Sequence, residues 1–310
     1  MEAKCNLILD SCCDLPYQIL DRPGVEVLRF PYIQEGVEYI DDMYSESTPK
    51  QFFAMMRDKK SGYPSTAQIP LPDIEGAFRR ALESGVPTVY LGFSSGLSGT
   101  FETCRKLAEN LSAEYPQGEL HVVDTLLASV AEGLLVYEAL NQREKGLTAT
   151  EMVEWVKEAR FFVNAQFMVD DLSALERGGR IPGNVAKAGA MLDVKPMLGF
   201  DLEGKLALTG VVRGRKKGIK QLISFYSKNH DTNHPVHQVI TANADCPRDA
   251  DKLCDGLKKD DESVFVLQSS VGPVIGSHVG PDMLAVVFWG HDRRNEISVA
   301  DRIARKVKGI

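Results

Sequence analysis

Thr88-Val89-Tyr90-Leu91-Gly92-Phe93-Ser94-Ser95-Gly96-Leu97-Ser98-Gly99-Thr100 is the stretch that decides the fold class. Its first part, Thr88 to Phe93, is a short apolar run with the length and residue types of a buried strand, and Phe101 to Leu111 has the apolar spacing of an amphipathic helix. Ser94 to Thr100 is therefore a strand-to-helix turn. Gly96 and Gly99 let the backbone approach a neighbour closely or take positive φ, and Ser94, Ser95, Ser98 and Thr100 supply hydroxyls that donate and accept. The first N–H groups of the following helix, with the positive end of its dipole, face the same space. A small anion or a carboxylate fits there. A helix cap at Ser98 or Thr100 is the simpler role, and it uses only one of these hydroxyls.

The kind of anion is constrained. A nucleotide-binding loop of the form G-x-x-x-x-G-K-[ST] needs a lysine that Gly99-Thr100 does not provide, which argues against ATP at this loop. Gly92-Phe93-Ser94-Ser95-Gly96 also satisfies G-x-S-x-G, the elbow that exposes a nucleophilic serine between strand and helix. A serine esterase using Ser94 with His278 or His291 is thus the alternative function, although Leu97-Ser98-Gly99 separates this turn from its helix as an elbow would not.

The chain has 310 residues, 44% of them apolar, enough for about two packed domains. With 36 basic and 43 acidic residues its net charge is −7, so no overall positive field recruits nucleic acid or anionic lipid. Cysteines stand at 5, 12, 13, 104, 246 and 254 without a C-x-x-C pair, and no secretory leader is expected. This pattern predicts reduced cytoplasmic thiols and no structural zinc. A redox role for the adjacent Cys12 and Cys13 lacks an activating base. Apolar runs such as Met283 to Trp289 are too short to span a bilayer, leaving at most transient membrane contact.

Working outward, Cys5 to Leu9 reads as a strand that ends in Asp10-Ser11, followed by a helix start with Asp14 as N-cap and Pro16 in the first turn. Val25 to Ile33 and Val37 to Ile40 are extended segments around a Glu35-Gly36 turn, and a helix follows over Pro49 to Arg57. Pro64-Ser65-Thr66-Ala67-Gln68-Ile69-Pro70 is a polar loop stiffened by proline at both ends; Ser65 and Thr66 either bind a ligand or cap the helix from Leu71 to Ser84. Strand Leu120 to Val123, helix Leu126 to Asn141 and helix Thr150 to Arg160, capped by Thr148 or Thr150, repeat the alternation. Such alternation predicts a three-layer α/β domain over residues 1–160, with Asp10, Thr66, Ser94 to Thr100 and Asp124 along one edge.

Residues 161–310 change character and are expected to form a second α/β domain. A short helix near Asp171 stops at Gly178-Gly179, where Arg177 and Arg180 are expected to pair with Asp170 or Asp171 across a domain junction. Asn184 to Leu192 reads as a helix of small residues, leaving room for close packing or an apolar ligand. Val194 to Phe200 and Lys205 to Val212 form a hairpin that runs into the basic cluster Arg213 to Lys220, a solvated face or a docking surface. His230, His234 and His237 straddle a turn without helical spacing, which weighs against a metal triad. Strands near Val236 to Thr241, Val264 to Leu267 and Leu284 to Phe288, with helices near Pro247 to Leu257 and Ile297 to Val307, complete the chain. His278 lies in a Gly/Pro-rich loop, a better place for a site than for a core.

Taken in order, Asp10-Ser11 with Asp14-Leu15-Pro16, Pro64 to Gln68, Ser94 to Thr100, Asp170-Asp171-Leu172 with Arg177-Gly178-Gly179-Arg180-Ile181, Lys195-Pro196, and Gly272 to Gly276 with His278-Val279-Gly280 resemble the DegV family over nearly the whole chain. The resemblance implies an α/β fold of two domains, the first with a mainly parallel sheet and the second with a mixed one, enclosing a long-chain fatty acid. It implies a carboxylate held by Thr66 and by Ser94 or Ser95, with His278 close by and Gly96, Ser98, Gly99, Asp10 and Ser11 in supporting loops. It further implies no catalysis, metal or cofactor in this chain. The implied partner is a separate ATP-dependent fatty acid kinase that meets Arg213 and His278 and makes acyl phosphate for bacterial phospholipid synthesis. Ala67, Ile69-Pro70 and Cys12-Cys13 depart from the family's usual residues. The energetics are coherent: roughly 15 methylenes at about 0.8 kcal/mol each give a gross transfer term of about 12 kcal/mol, so retention needs no covalent bond. A buried carboxylate then requires donors, which hydroxyls and a helix start supply.

Overall fold

The computed structural model describes residues 3–58, 62–183, 193–233 and 237–296. The expected helices at 184–192 and 297–307, and His234, lie outside these residues.

Four strands, β1 (Asn6–Asp10), β2 (Val25–Leu28), β6 (Thr88–Gly92) and β7 (Leu120–Asp124), form a parallel sheet in the order β2-β1-β6-β7. β6 is buried at every position and β1 at all but its first, as continuous apolar runs in a sheet covered on both faces require. The extended segment from Val25 divides in two. Its second part, β3 (Pro31–Gln34), pairs with β4 (Val37–Ile40) and the short β5 (Ser65–Thr66) in a separate antiparallel sheet. Glu35 and Gly36 join β3 to β4 with φ of 49° and 79°, the two-residue hairpin turn whose twist suits the strands.

The second sheet runs β10-β9-β8-β13-β11-β12, from β8 (Val163–Met168), β9 (Val194–Phe200), β10 (Leu206–Arg213), β11 (His237–Asn243), β12 (Val264–Ser270) and β13 (Leu284–Trp289). It is mixed: β11 and β12 are parallel and the other pairs antiparallel. The helix Ser129–Glu144 lies between the two halves, packing on the 3-10 turn Ser11–Cys13 and on β8, β11 and β13. Apolar residues on nearly all its faces are what such a position demands.

Two local expectations are corrected. Asp14 is not a helix N-cap: it closes the turn Ser11–Cys13 with φ 50°, and its carboxylate accepts from Ser129 Oγ at 2.5 Å and from the Gly272 N–H at 2.9 Å. It thus ties the first sheet's edge to the second half of the chain. Thr66 caps no helix, because it is held in β5 opposite Tyr32, and the helix Leu71–Glu83 starts from Pro70 without a side-chain cap.

Candidate functional site

A cavity of about 310 Å³ opens between the halves. Its walls are mostly apolar, with Phe30 and Phe93 from the first half and Phe167, Phe200, Val274 and Val287 from the second. Thr66, Gln68, Ser98, Arg180 and His278 also reach it, and among the described residues lining it Arg180 carries the only formal charge.

Each of these groups is fixed by local structure. Thr66 is anchored by β5, and His278 sits on the helix Pro273–Val279 rather than in the expected loop; Pro273 occupies the first turn and Gly280, with φ 75°, ends the helix. His278 Nε2 and Thr66 Oγ1 are 2.8 Å apart. His278 Nδ1 is buried without a hydrogen-bond partner against Gly178, where a Cβ would stand 2.3 Å from it. Burial, and then the nearby Arg180 charge, push the imidazole down to about 4, so it is neutral at pH 7. With Nε2 protonated, His278 donates to Thr66 and leaves the threonine proton for a ligand. Arg180 donates from Nε to the Leu97 carbonyl at 3.1 Å and from Nη1 to the Gly178 carbonyl, and burial lowers its pKa.

The Ser94–Thr100 turn is placed as expected between β6 and the helix Thr100–Glu114, with Asp10 and Asp124 at the same sheet edge. Its hydroxyls are used differently. Ser94 is fully buried and donates to the Gly204 carbonyl at 2.8 Å, while accepting from the Gly96 N–H at 3.2 Å. Ser95 is exposed, and its N–H donates to Asp124 at 3.2 Å. Neither lines the cavity; Ser98 and Gly99 do. Ser94 and Ser95, expected at the ligand, thus lie outside this cavity, and a hairpin 110 residues away covers Ser94. Gly96 serves close approach and not positive φ: a Cβ there would lie 2.6 Å from the Glu203 carbonyl oxygen and 2.8 Å from the Gly204 carbonyl carbon. The helix is not capped by Ser98 or Thr100 in the expected way, because Gly99 is its N-cap, although Ser98 Oγ accepts from the Thr100 N–H at 3.2 Å. Asp10 caps the Ser11–Cys13 turn and accepts from Phe93 N–H at 2.9 Å; burial pushes it up to about 7. Ser11 Oγ accepts from the Phe30 N–H at 3.1 Å, so both residues hold the site's walls and do not touch its interior.

The elbow geometry an esterase needs is not formed. The Ser94 proton is committed to a carbonyl, His278 bonds Thr66, and among the described residues no hydrogen bond joins Ser94 to an imidazole. Cys12 and Cys13 are buried and free, with thiols pushed up by burial, which favours the inert protonated form.

The arginines depart from expectation. Arg177 stacks on Tyr63, 3.4 Å from the ring centroid, and Arg180 turns into the cavity. Asp170 is met instead by Lys195 at 2.9 Å and Arg215 at 3.4 Å. The place of Arg180 in the cavity wall was not read from sequence spacing; its bond to the Leu97 carbonyl in the Ser94–Thr100 turn gave no signal in the sequence. Arg213 is exposed at the end of β10, beside exposed Lys216 and Lys217. No described helix is long and apolar enough to cross a membrane.

Residues 4–290 match the family described as "uncharacterised protein, DegV family". A DegV domain-containing protein of Clostridium perfringens is 34% identical over 287 residues, covering 93% of this chain and 98% of that one. Among solved structures, a DegV family protein from Thermus thermophilus, described by its fatty acid binding, matches with a TM-score of 0.81 at 28% identity, covering 93% of this chain and all (100%) of that one. A fatty acid binding DegV family protein from Streptococcus agalactiae matches with a TM-score of 0.79 at 26% identity, over 94% and 100% of the two chains.

Proposed function

The chain belongs to the DegV family, and from that membership we propose that it binds a long-chain fatty acid, the tail in the apolar cavity and the carboxylate at Thr66, Ser98 and Arg180. The charge of Arg180, the only one among the described residues lining a mostly apolar cavity, carries this reading. A carboxylate leaving water needs a counter-charge and donors, and Arg180 with the Thr66 hydroxyl offers both. His278 positions Thr66, and Ser94, Ser95, Gly96, Gly99, Asp10 and Ser11 form the scaffold around that end.

In this reading the protein is a non-catalytic, cytoplasmic carrier of two domains, 1–160 and 161–310, with the tail between them. It presents the carboxylate to a separate ATP-dependent kinase, which makes an acyl phosphate for phospholipid synthesis. The exposed Arg213 and its lysine neighbours suit the docking of an acidic kinase surface, and His278 would stand behind the head group there.

Native mass spectrometry of protein purified from a bacterial host tests the reading. One fatty acid per chain is expected, released on denaturation. Protein that is repeatedly empty and takes up neither oleate nor palmitate would sink it.

A further inference from the structure

His230, His237 and Asp261 meet beside a second cavity, of about 470 Å³, at the C-terminal end of β13. Separate elements deliver them: His230 ends the helix Arg215–Asn229, His237 opens β11, and Asp261 ends the helix Pro247–Asp260. Spacing along the chain argued against a metal triad; the third ligand comes from elsewhere in the fold. One nitrogen of each ring and one carboxylate oxygen lie within 4.8 Å of one another, and all three residues are half-buried.

The hydrogen bonds leave the imidazoles ready to coordinate. His230 Nδ1 is 3.0 Å from the Tyr226 carbonyl oxygen, which only accepts, so Nδ1 carries the proton and Nε2 keeps its lone pair. His237 Nδ1 is bonded to the Asp261 carboxylate, and a cation would take the place of the shared proton, with His237 Nδ1, the Asp261 oxygen and His230 Nε2 as its ligand atoms. A backbone carbonyl is a partner that orients a metal-bound histidine, as the Tyr226 carbonyl does for His230. The rings are also held: His230 stacks on Tyr226 at 4.5 Å, and the two imidazoles meet at 63° with centroids 4.8 Å apart. Asp261 is steadied by Ser263, whose N–H and Oγ donate at 2.9 and 2.6 Å, and by the Tyr226 hydroxyl at 2.5 Å.

We propose that His230, His237 and Asp261 form a binding site for a late first-row divalent cation, Zn²⁺ foremost. Two imidazoles and one carboxylate suit such a borderline cation, whereas Ca²⁺ and Mg²⁺ favour all-oxygen shells. Tetrahedral zinc holds its ligand atoms about 3.4 Å apart, so the site closes by small ring rotations, with the fourth position facing the cavity and open to water. The site is independent of the lipid cavity and of the fatty-acid reading. It ties the ends of two helices to the start of β11.

The chain's two tryptophans, Trp155 and Trp289, both line this cavity and lie 6.2 Å apart, which gives an internal reporter. Co²⁺ titrated into the full chain is expected to bind at one equivalent, quench tryptophan fluorescence, show the visible bands of a four-coordinate nitrogen–oxygen site, and be displaced by Zn²⁺. His230→Ala and His237→Ala are each expected to weaken Zn²⁺ binding by at least about tenfold. His121→Ala, on β7 with its ring paired to Glu119 just before that strand, is expected to leave it unchanged. The cobalt spectrum needs no substitution, so it decides even where a variant fails to fold. Zn²⁺ affinity weaker than about 1 mM, or one equivalent retained by the His230→Ala/His237→Ala double variant, overturns the proposal.

Discussion

Ser94 and Thr66 are both hydroxyl residues near the same cavity, and they are held in opposite ways, Ser94 buried away from it and Thr66 lining it. Ser94 gives its proton to the Gly204 carbonyl and accepts from the Gly96 N–H, so it has no proton left to donate to a carboxylate. Thr66 has one partner, a neutral His278, and faces the cavity. A glycine- and serine-rich turn is therefore a scaffold here, locked by a hairpin from the other half of the chain. In the proposed reading the head group goes to Thr66, which lines the cavity, and not to Ser94, which does not. Richness in hydroxyls is a poor guide to a site unless their partners are known.

The comparison is most sharply tested at Thr66. Thr66→Val keeps the shape but removes the donor to a charged carboxylate and leaves His278 Nε2 unpartnered, so fatty-acid affinity is expected to fall about 100-fold, or roughly 2–3 kcal/mol. Displacement of a fluorescent fatty acid measures it, and unchanged affinity would move the head group elsewhere. Ser94→Ala is expected to do the reverse. Loss of its bond to Gly204 leaves a buried carbonyl unpaired and costs about 1–2 kcal/mol of stability in urea unfolding, while affinity changes less than about twofold. A variant as stable as the parent that no longer holds lipid would return Ser94 to the head group.

What the sequence made legible was local. The strand and helix around Ser94–Thr100, the helix cap at Thr148 and the Glu35-Gly36 turn all follow from residues within a few positions of one another. What it hid depends on chain segments that meet only in the folded state. No local pattern tells that Gly204 covers Ser94, that Asp14 reaches Ser129 and Gly272, or that Asp170 takes Lys195 and Arg215 and so leaves Arg180 for the cavity. The histidines show the same limit, since helical spacing within one segment cannot register Asp261. Loop chemistry and the resemblance to a family both pointed to Thr66 and His278; only the geometry brings Arg180 to the cavity.

The smallest effect discriminates between a neutral and a charged role for His278. Burial and Arg180 hold its imidazole at about 4, against an ordinary 6.5, so it carries no charge over the range in which the ligand is handled. Between these values the unfolded chain binds a proton that the folded one lacks, so the folded state gains stability as pH rises from about 4 and the gain is complete above 6.5. Asp10 on the scaffold runs the other way. Raised from 3.8 to about 7 by burial, it contributes stability that is present in acid and lost as pH approaches neutrality. Overall stability is therefore pH-dependent for reasons on both sides of the site, whereas affinity should not follow His278. Between pH 6.5 and 8, fatty-acid affinity is expected to change by less than about twofold, because the donor is a hydroxyl aligned by a neutral ring. An imidazolium partner would instead lose its charge over this range, weakening binding by up to about tenfold per pH unit. A steep alkaline decline in displacement assays, abolished by His278→Gln, would replace the aligned hydroxyl with a charge pair.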